Sequence, residues 1–142
     1  MSETTATIAA TEAETIAAGR ALASTLATGT TVLLHGDLGA GKTALVRGLA
    51  EGFGVDPQDV SSPTFTIVQE YRGPAVTLQH VDLYRLSALE IADLALDDLL
   101  DSRTVMAIEW AERLPRPPFG PTVIVRLSHV PDGRAIEITR NL

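Results

Sequence analysis

Five residues within eight positions carry the strongest chemical signal in the chain: Gly36, Gly39, Gly41, Lys42 and Thr43, in the stretch HGDLGAGKTALVRGL. From Gly36 to Thr43 they complete the spacing G-x-x-x-x-G-K-T. Glycines let the backbone curl with its N–H groups turned inward on an anion. The N-terminal end of a following helix adds positive potential at the same place. Lys42 supplies a compact charge for β/γ-phosphates, and the Thr43 hydroxyl is placed to ligate Mg²⁺. Asp37, Leu38 and Ala40 complete the loop. This segment predicts a nucleoside triphosphate site, with Lys42 as a cation on a surface loop.

Mg²⁺ takes oxygen ligands and keeps several waters. A carboxylate at the end of a neighbouring strand suits it, and two are available. Asp82 ends AVTLQHVD and Glu109 ends TVMAIE. Glu109 follows the more apolar run and is the better strand-end acid. Both can face the site, one toward metal and one toward attacking water. Thr64 follows Pro63 in a turn after the loop's helix, where a switch threonine can sense metal and γ-phosphate. His80 reads as a core histidine rather than a ligand. Trp110, the sole tryptophan, follows Glu109 and is open between core packing and a place beside the nucleotide.

The elements that must hold these residues follow from periodicity and punctuation. TVLLH, residues 31–35, is a short apolar run and predicts a buried strand. Lys42 to Phe53 predicts a helix with Leu45, Val46, Leu49 and Phe53 inward, stopped by Gly54. Strand, glycine loop and helix form the context that a phosphate loop requires. Upstream, residues 1–10 predict a loose lead or a short edge strand. Thr11 and Glu14 form a capping box, opening a helix with Ile16, Leu22 and Leu26 inward that runs to about Gly29. FTIVQEYR and Val76 to Asp82 read as strands. Ser87 to Asp101 predicts one helix with Ile91, Leu94 and Leu99 inward and Glu90, Asp93, Asp97 and Asp101 on a solvated face. Thr104 to Glu109 is a buried strand, RLPRPPFGP a loop, and VIVRLSHV and RAIEITR a hairpin turning at Pro131-Asp132-Gly133. The fold class is α/β: one P-loop NTPase-like domain over residues 1–142, with a mainly parallel central sheet, flanking helices and antiparallel edge strands.

Composition narrows the function. A chain of 142 residues, 45% apolar, suits one self-sufficient core. With no cysteine, disulfides and thiolate chemistry are excluded. The start has early acids and no signal-peptide core, and no apolar run approaches the roughly 20 residues of a bilayer span. A cytoplasmic protein is expected, with no membrane partner. The net charge of −7 argues against free-standing binding to nucleic acid. Ten arginines accompany a single lysine, and that lysine is Lys42. A GTPase reading guanine with N-K-x-D needs a further lysine, so that route is closed. A small-molecule kinase needs an acceptor pocket and a lid carrying arginine. Arg113 and Arg116 can imitate a lid, but RLPRPP is short. What remains is a small ATPase that works on a partner, with the kinase as the alternative.

HGDLGAGKT, VSSPTFTIVQEY, HVDLYRL and AIEW, in this order and spacing, resemble the TsaE family of bacterial tRNA threonylcarbamoyladenosine synthesis. The resemblance covers about Thr11 to Arg140. It implies binding of ATP or ADP with Mg²⁺, slow hydrolysis, and assembly with a TsaB-like and TsaD-like pair. That pair modifies the adenosine beside the anticodon of ANN-decoding tRNAs, so tRNA is met only through the complex. It implies Lys42 and Thr43 as phosphate and Mg²⁺ residues, and Asp82 and Glu109 as the acidic pair. It implies Thr64 as the switch threonine and Trp110 near the nucleotide. Thr11 to Thr15 fall where the family approaches adenine, and Arg134 where a late Gly-Arg pair reaches the nucleotide.

Overall fold

The most apolar runs of the chain form the middle of its sheet. The computed structural model describes residues 2–37, 39–56, 59, 67–116 and 120–141. Its strands and helices in chain order are β1 (Ser2–Ala9), α1 (Glu12–Ala23), β2 (Thr31–His35), α2 (Lys42–Gly52), β3 (Val68–Arg72), β4 (Thr77–Asp82), α3 (Ala88–Asp93), β5 (Thr104–Glu109), β6 (Thr122–Val130) and β7 (Gly133–Asn141). They build one α/β domain around a sheet of order β1-β7-β6-β2-β5-β4-β3. The four central strands β6, β2, β5 and β4 run parallel. The margins are antiparallel, β3 on β4 at one side and β7 and β1 at the other. This is the predicted class.

Every residue of β5 is buried, as are the first four of β2. Such continuous burial belongs to strands covered on both faces. Helices α1 and α2 cover one face, enclosing Leu34, Leu45, Leu49 and Leu78 without solvent exposure. The segment around α3 covers the other over Val81, Leu83, Met106 and Ile108. Each such side chain contributes about 1.5–3 kcal/mol by leaving water.

Three sequence expectations need correction. Of the two readings of residues 1–10, the loose lead falls and the edge strand holds, longer than expected: β1 is eight residues long and pairs with β7 along its whole length, from Ser2 with Asn141 to Ala9 with Arg134. Helix α1 keeps its capping box but ends at Ala23, short of Gly29. There the Ser24 and Thr25 hydroxyls donate back to the carbonyls of Ala21 and Leu22, competing with helical continuation. The helix expected over Ser87 to Asp101 breaks in two: α3 is followed by Ala95 at φ +50° and a short 3₁₀ turn, Leu96–Leu99. The break turns Leu96 into the core, while Asp97 meets Arg116 at 3.5 Å. Strand β3 starts at Val68; Phe65 and Thr66, expected in it, lie outside the described residues.

Helices α1 and α2 meet through glycines. A Cβ on Gly48 would lie 2.0 Å from the Ile16 carbonyl oxygen, and one on Gly19 would lie 2.2 Å from that of Leu45. Both obstacles are backbone, which cannot swing aside. Alanine in a helix interior otherwise favours folding by about 1 kcal/mol over glycine. Here overpacking, about 1–3 kcal/mol, exceeds that gain. Gly48→Ala should therefore lower the melting midpoint, by roughly 2–6 °C on a net loss of up to about 2 kcal/mol. A raised midpoint in thermal denaturation would show that the helices are not this close.

Candidate functional site

The loop after β2 is shaped by backbone conformations that side chains resist. Gly39 stands at φ +80° and Gly41 at φ +102°. Gly41 is also the N-cap of α2, without a side chain to occupy the orphan N–H groups of the first turn. Those donors therefore remain for an anion. Ala40 is fully buried and anchors the loop, its N–H donating to the Asp37 carbonyl at 3.0 Å. Thr43 follows half-buried at the second position of α2. Leu38 and Thr64, both expected at the site, lie outside the described residues.

Lys42 is not an exposed surface cation: only 6% of it is accessible. Its Nζ donates to the Gly36 carbonyl at 2.7 Å and lies 4.0 Å from the centre of the Trp110 ring. Desolvated cation–π contacts of this kind contribute about 2 kcal/mol. Trp110 stands at φ +61°, a left-handed conformation costing about 1–2 kcal/mol for a residue with a bulky side chain. Its neighbours hold it there: Tyr84 packs on its ring at 4.8 Å, and Arg113 lies 5.8 Å over Tyr84. Trp110 thus does both: it packs against the core cluster of Leu83, Met106 and Ile108 and its ring meets the loop lysine.

Parallel pairing sets the carboxylates side by side. Asp82 ends β4 and is in register with Glu109 at the end of β5. Glu109 is in turn in register with Leu34, one residue before β2 ends at His35 and the glycine loop begins. Carboxyl ends of parallel strands are where open α/β sheets bind ligands. Glu109 is 4% exposed, and its Oε2 meets His80 Nε2. Asp82 accepts from the Tyr84 N–H at 2.9 Å. Burial pushes the Asp82 carboxyl above the usual aspartate range; the Tyr84 N–H opposes this, Glu109 reinforces it, and His80 and Lys42 oppose it. A cation arriving beside Asp82 would favour its ionised form.

The hairpin and the α1 cap close a second part of the site. Thr11, Thr15, Gly41 and Arg134 line one cavity of about 200 Å³, with Ala9, Ala10, Glu12, Ala44 and Gly133. Arg134 Nη2 donates to the Gly39 carbonyl at 3.3 Å. Thr15 is buried and its hydroxyl reaches the Thr11 carbonyl at 3.4 Å. A larger groove of about 530 Å³ meets the start of the glycine loop at Gly36 and Asp37.

Sequence reasoning missed the His80–Glu109 contact and the Tyr84 ring. A signal for the first was present, because His80 sits two residues before Asp82 on one strand and so shares its face. Of the two arginines considered for a lid, Arg113 also donates to the Leu86 carbonyl and Arg116 meets Asp97.

Strand, glycine loop, helix and paired strand-end acids make this a P-loop-type α/β protein. The family model described as "Threonylcarbamoyl adenosine biosynthesis protein TsaE" matches residues 9–136. The chain belongs to the TsaE family, a family of tRNA threonylcarbamoyladenosine biosynthesis. The "tRNA threonylcarbamoyladenosine biosynthesis protein TsaE" of Synechocystis is 49% identical over 104 residues, which span 70% of this chain and 66% of that protein. The protein of the same description from Rickettsia bellii is 37% identical over 131 residues, covering 92% and 90%. The crystal structure of Bacillus subtilis YdiB superposes with a TM-score of 0.75 at 30% identity, covering 99% of this chain and 87% of that one.

Proposed function

We propose that the chain is an ATP-binding, slowly hydrolysing subunit that supports threonylcarbamoyl modification of the adenosine beside the anticodon in ANN-decoding tRNAs. It acts in the cytoplasm through a TsaB-like and a TsaD-like protein, and meets tRNA only within that complex. The observation that carries this reading is Lys42, gathered under the glycine loop with Asp82 and Glu109 at neighbouring strand ends.

The donor set suits the ligands. Backbone N–H groups at the start of α2 and the Lys42 ammonium match the β- and γ-phosphates. Thr43, Asp82 and Glu109 offer hard oxygens. Among the described residues no three acidic, histidine or cysteine side chains form an all-protein metal cage. Mg²⁺ needs none, being held by one or two carboxylates together with phosphate oxygens. When bound, it neutralises phosphate charge during hydrolysis. Asp82 and Glu109 then divide the work of holding metal and orienting water. Thr64 is assigned to sensing the γ-phosphate. The base goes to the cavity of Thr11, Thr15 and Arg134, with adenine selected because no N-K-x-D can form.

The test measures phosphate release by the full chain, alone and with TsaB-like and TsaD-like proteins. Slow release alone, accelerated by the pair, is expected, as is nucleotide-dependent co-purification with them. Transfer of γ-phosphate to a small acceptor without partners would replace this reading by a kinase.

A further inference from the structure

His80 has no solvent exposure, yet it reaches into the site. It lies on β4 two residues before Asp82, so both side chains leave the sheet on the same face. The register of β4 with β5 sets His80 beside Ala107 and Asp82 beside Glu109. Across that step His80 Nε2 comes to 2.5 Å from Glu109 Oε2. With Glu109 as the carboxylate that the proposed function requires, its oxygens only accept, which makes Nε2–H the donor. The other ring nitrogen, Nδ1, is buried with no hydrogen-bond partner among the described residues. A bare acceptor lone pair is a smaller loss there than a buried N–H donor.

A core histidine chosen only for packing would not need this bond. Leucine would fill similar space without leaving a ring nitrogen unpaired. The bond does something packing cannot: it ties one of the two Glu109 oxygens and so restricts the turn of the whole planar carboxylate. Carboxylates that ligate metals depend on outer hydrogen bonds of this kind to hold their orientation.

We infer that His80 is a positioning residue for Glu109. Its Nε2–H holds Oε2, so that Oε1 is presented to Mg²⁺ and the hydrolytic step. This rests on the ATP-hydrolysing reading above.

The test compares the full chain with His80→Leu and His80→Gln. Glutamine keeps an N–H donor near the Nε2 position; leucine does not. The readouts are kcat and KM for ATP, the Mg²⁺ concentration for half-maximal change in Trp110 emission with ADP, and melting. His80→Leu should lower kcat and raise the Mg²⁺ requirement by about 10- to 100-fold, with KM for ATP little changed. His80→Gln should recover most of both. A folded His80→Leu chain with wild-type kcat and Mg²⁺ dependence would overturn the inference. So would equal losses in two chains that both melt like wild type. If the leucine chain does not fold, long-range ¹H–¹⁵N spectra of the wild-type imidazole decide. Protonated Nε2 supports the inference; protonated Nδ1 with bare Nε2 overturns it. A wild-type chain that neither binds nor hydrolyses ATP overturns both this and the functional reading, whereas a failure confined to the variants touches His80 alone.

Discussion

Lys42→Ala should weaken ATP binding about 100-fold and abolish the nucleotide-dependent change in Trp110 emission. A hydrogen bond to a charged group contributes about 1.5–3 kcal/mol, and an ammonium between two phosphates makes more than one. The spectroscopic part follows from the 4.0 Å separation of Nζ and the indole centre. Phosphates that draw Lys42 toward them change the charge over the ring, and its emission reports that change. In the wild type, the emission should respond saturably to ATP or ADP with Mg²⁺. The variant also loses the bond to the Gly36 carbonyl, so its fold must be checked. Circular dichroism and melting without nucleotide should show a folded chain of somewhat lower stability. Calorimetry returning wild-type affinity in that folded variant would remove Lys42 from the phosphate site.

Glu109→Gln should lower phosphate release roughly 100-fold while changing ATP affinity much less. Charge that develops in the transition state is what a preorganised site stabilises most, and removing one such group costs about 10²–10³ in rate. Glutamine is the informative substitution because the site is buried. Alanine would leave the His80 N–H without an acceptor, at a cost of about 1–3 kcal/mol in stability. The glutamine amide oxygen still accepts from Nε2, so packing and that hydrogen bond survive while the charge goes. Asp82→Asn should lose less, because Asp82 is only partly enclosed whereas Glu109 is buried. Single-turnover measurements in the assembled complex decide the matter. A wild-type rate for Glu109→Gln would make Glu109 a structural acid.

Much of the phosphate loop was legible because its information is local. Glycine at 39 and 41 answers a backbone demand that other residues resist, and both stand at positive φ. Buried parallel strands announce themselves as unbroken apolar runs, as TVLLH and TVMAIE do. The capping box of Thr11 and Glu14 needs only residues three apart, and it forms as read. Where the local signal was ambiguous, tertiary contacts decided. Ser87 to Asp101 has helical periodicity throughout, but burying Leu96 turns the chain at Ala95.

By itself, then, the sequence determined the glycine loop with its G-x-x-x-x-G-K-T spacing, the α/β class with antiparallel edges, and the lack of any N-K-x-D. Each is a matter of residue type at short spacing. The sequence could not say that Lys42 is sheltered under Trp110, that Glu109 bonds to His80, or that Arg134 touches Gly39. Those pairs are far apart along the chain and meet only through the sheet. Pairing of β1 with β7 places Ala9 opposite Arg134, which sets the start of α1 beside the closing hairpin. The parallel register of β4 and β5 sets two acids at one edge. Register depends on how whole strands bury their faces together, so no single residue records it.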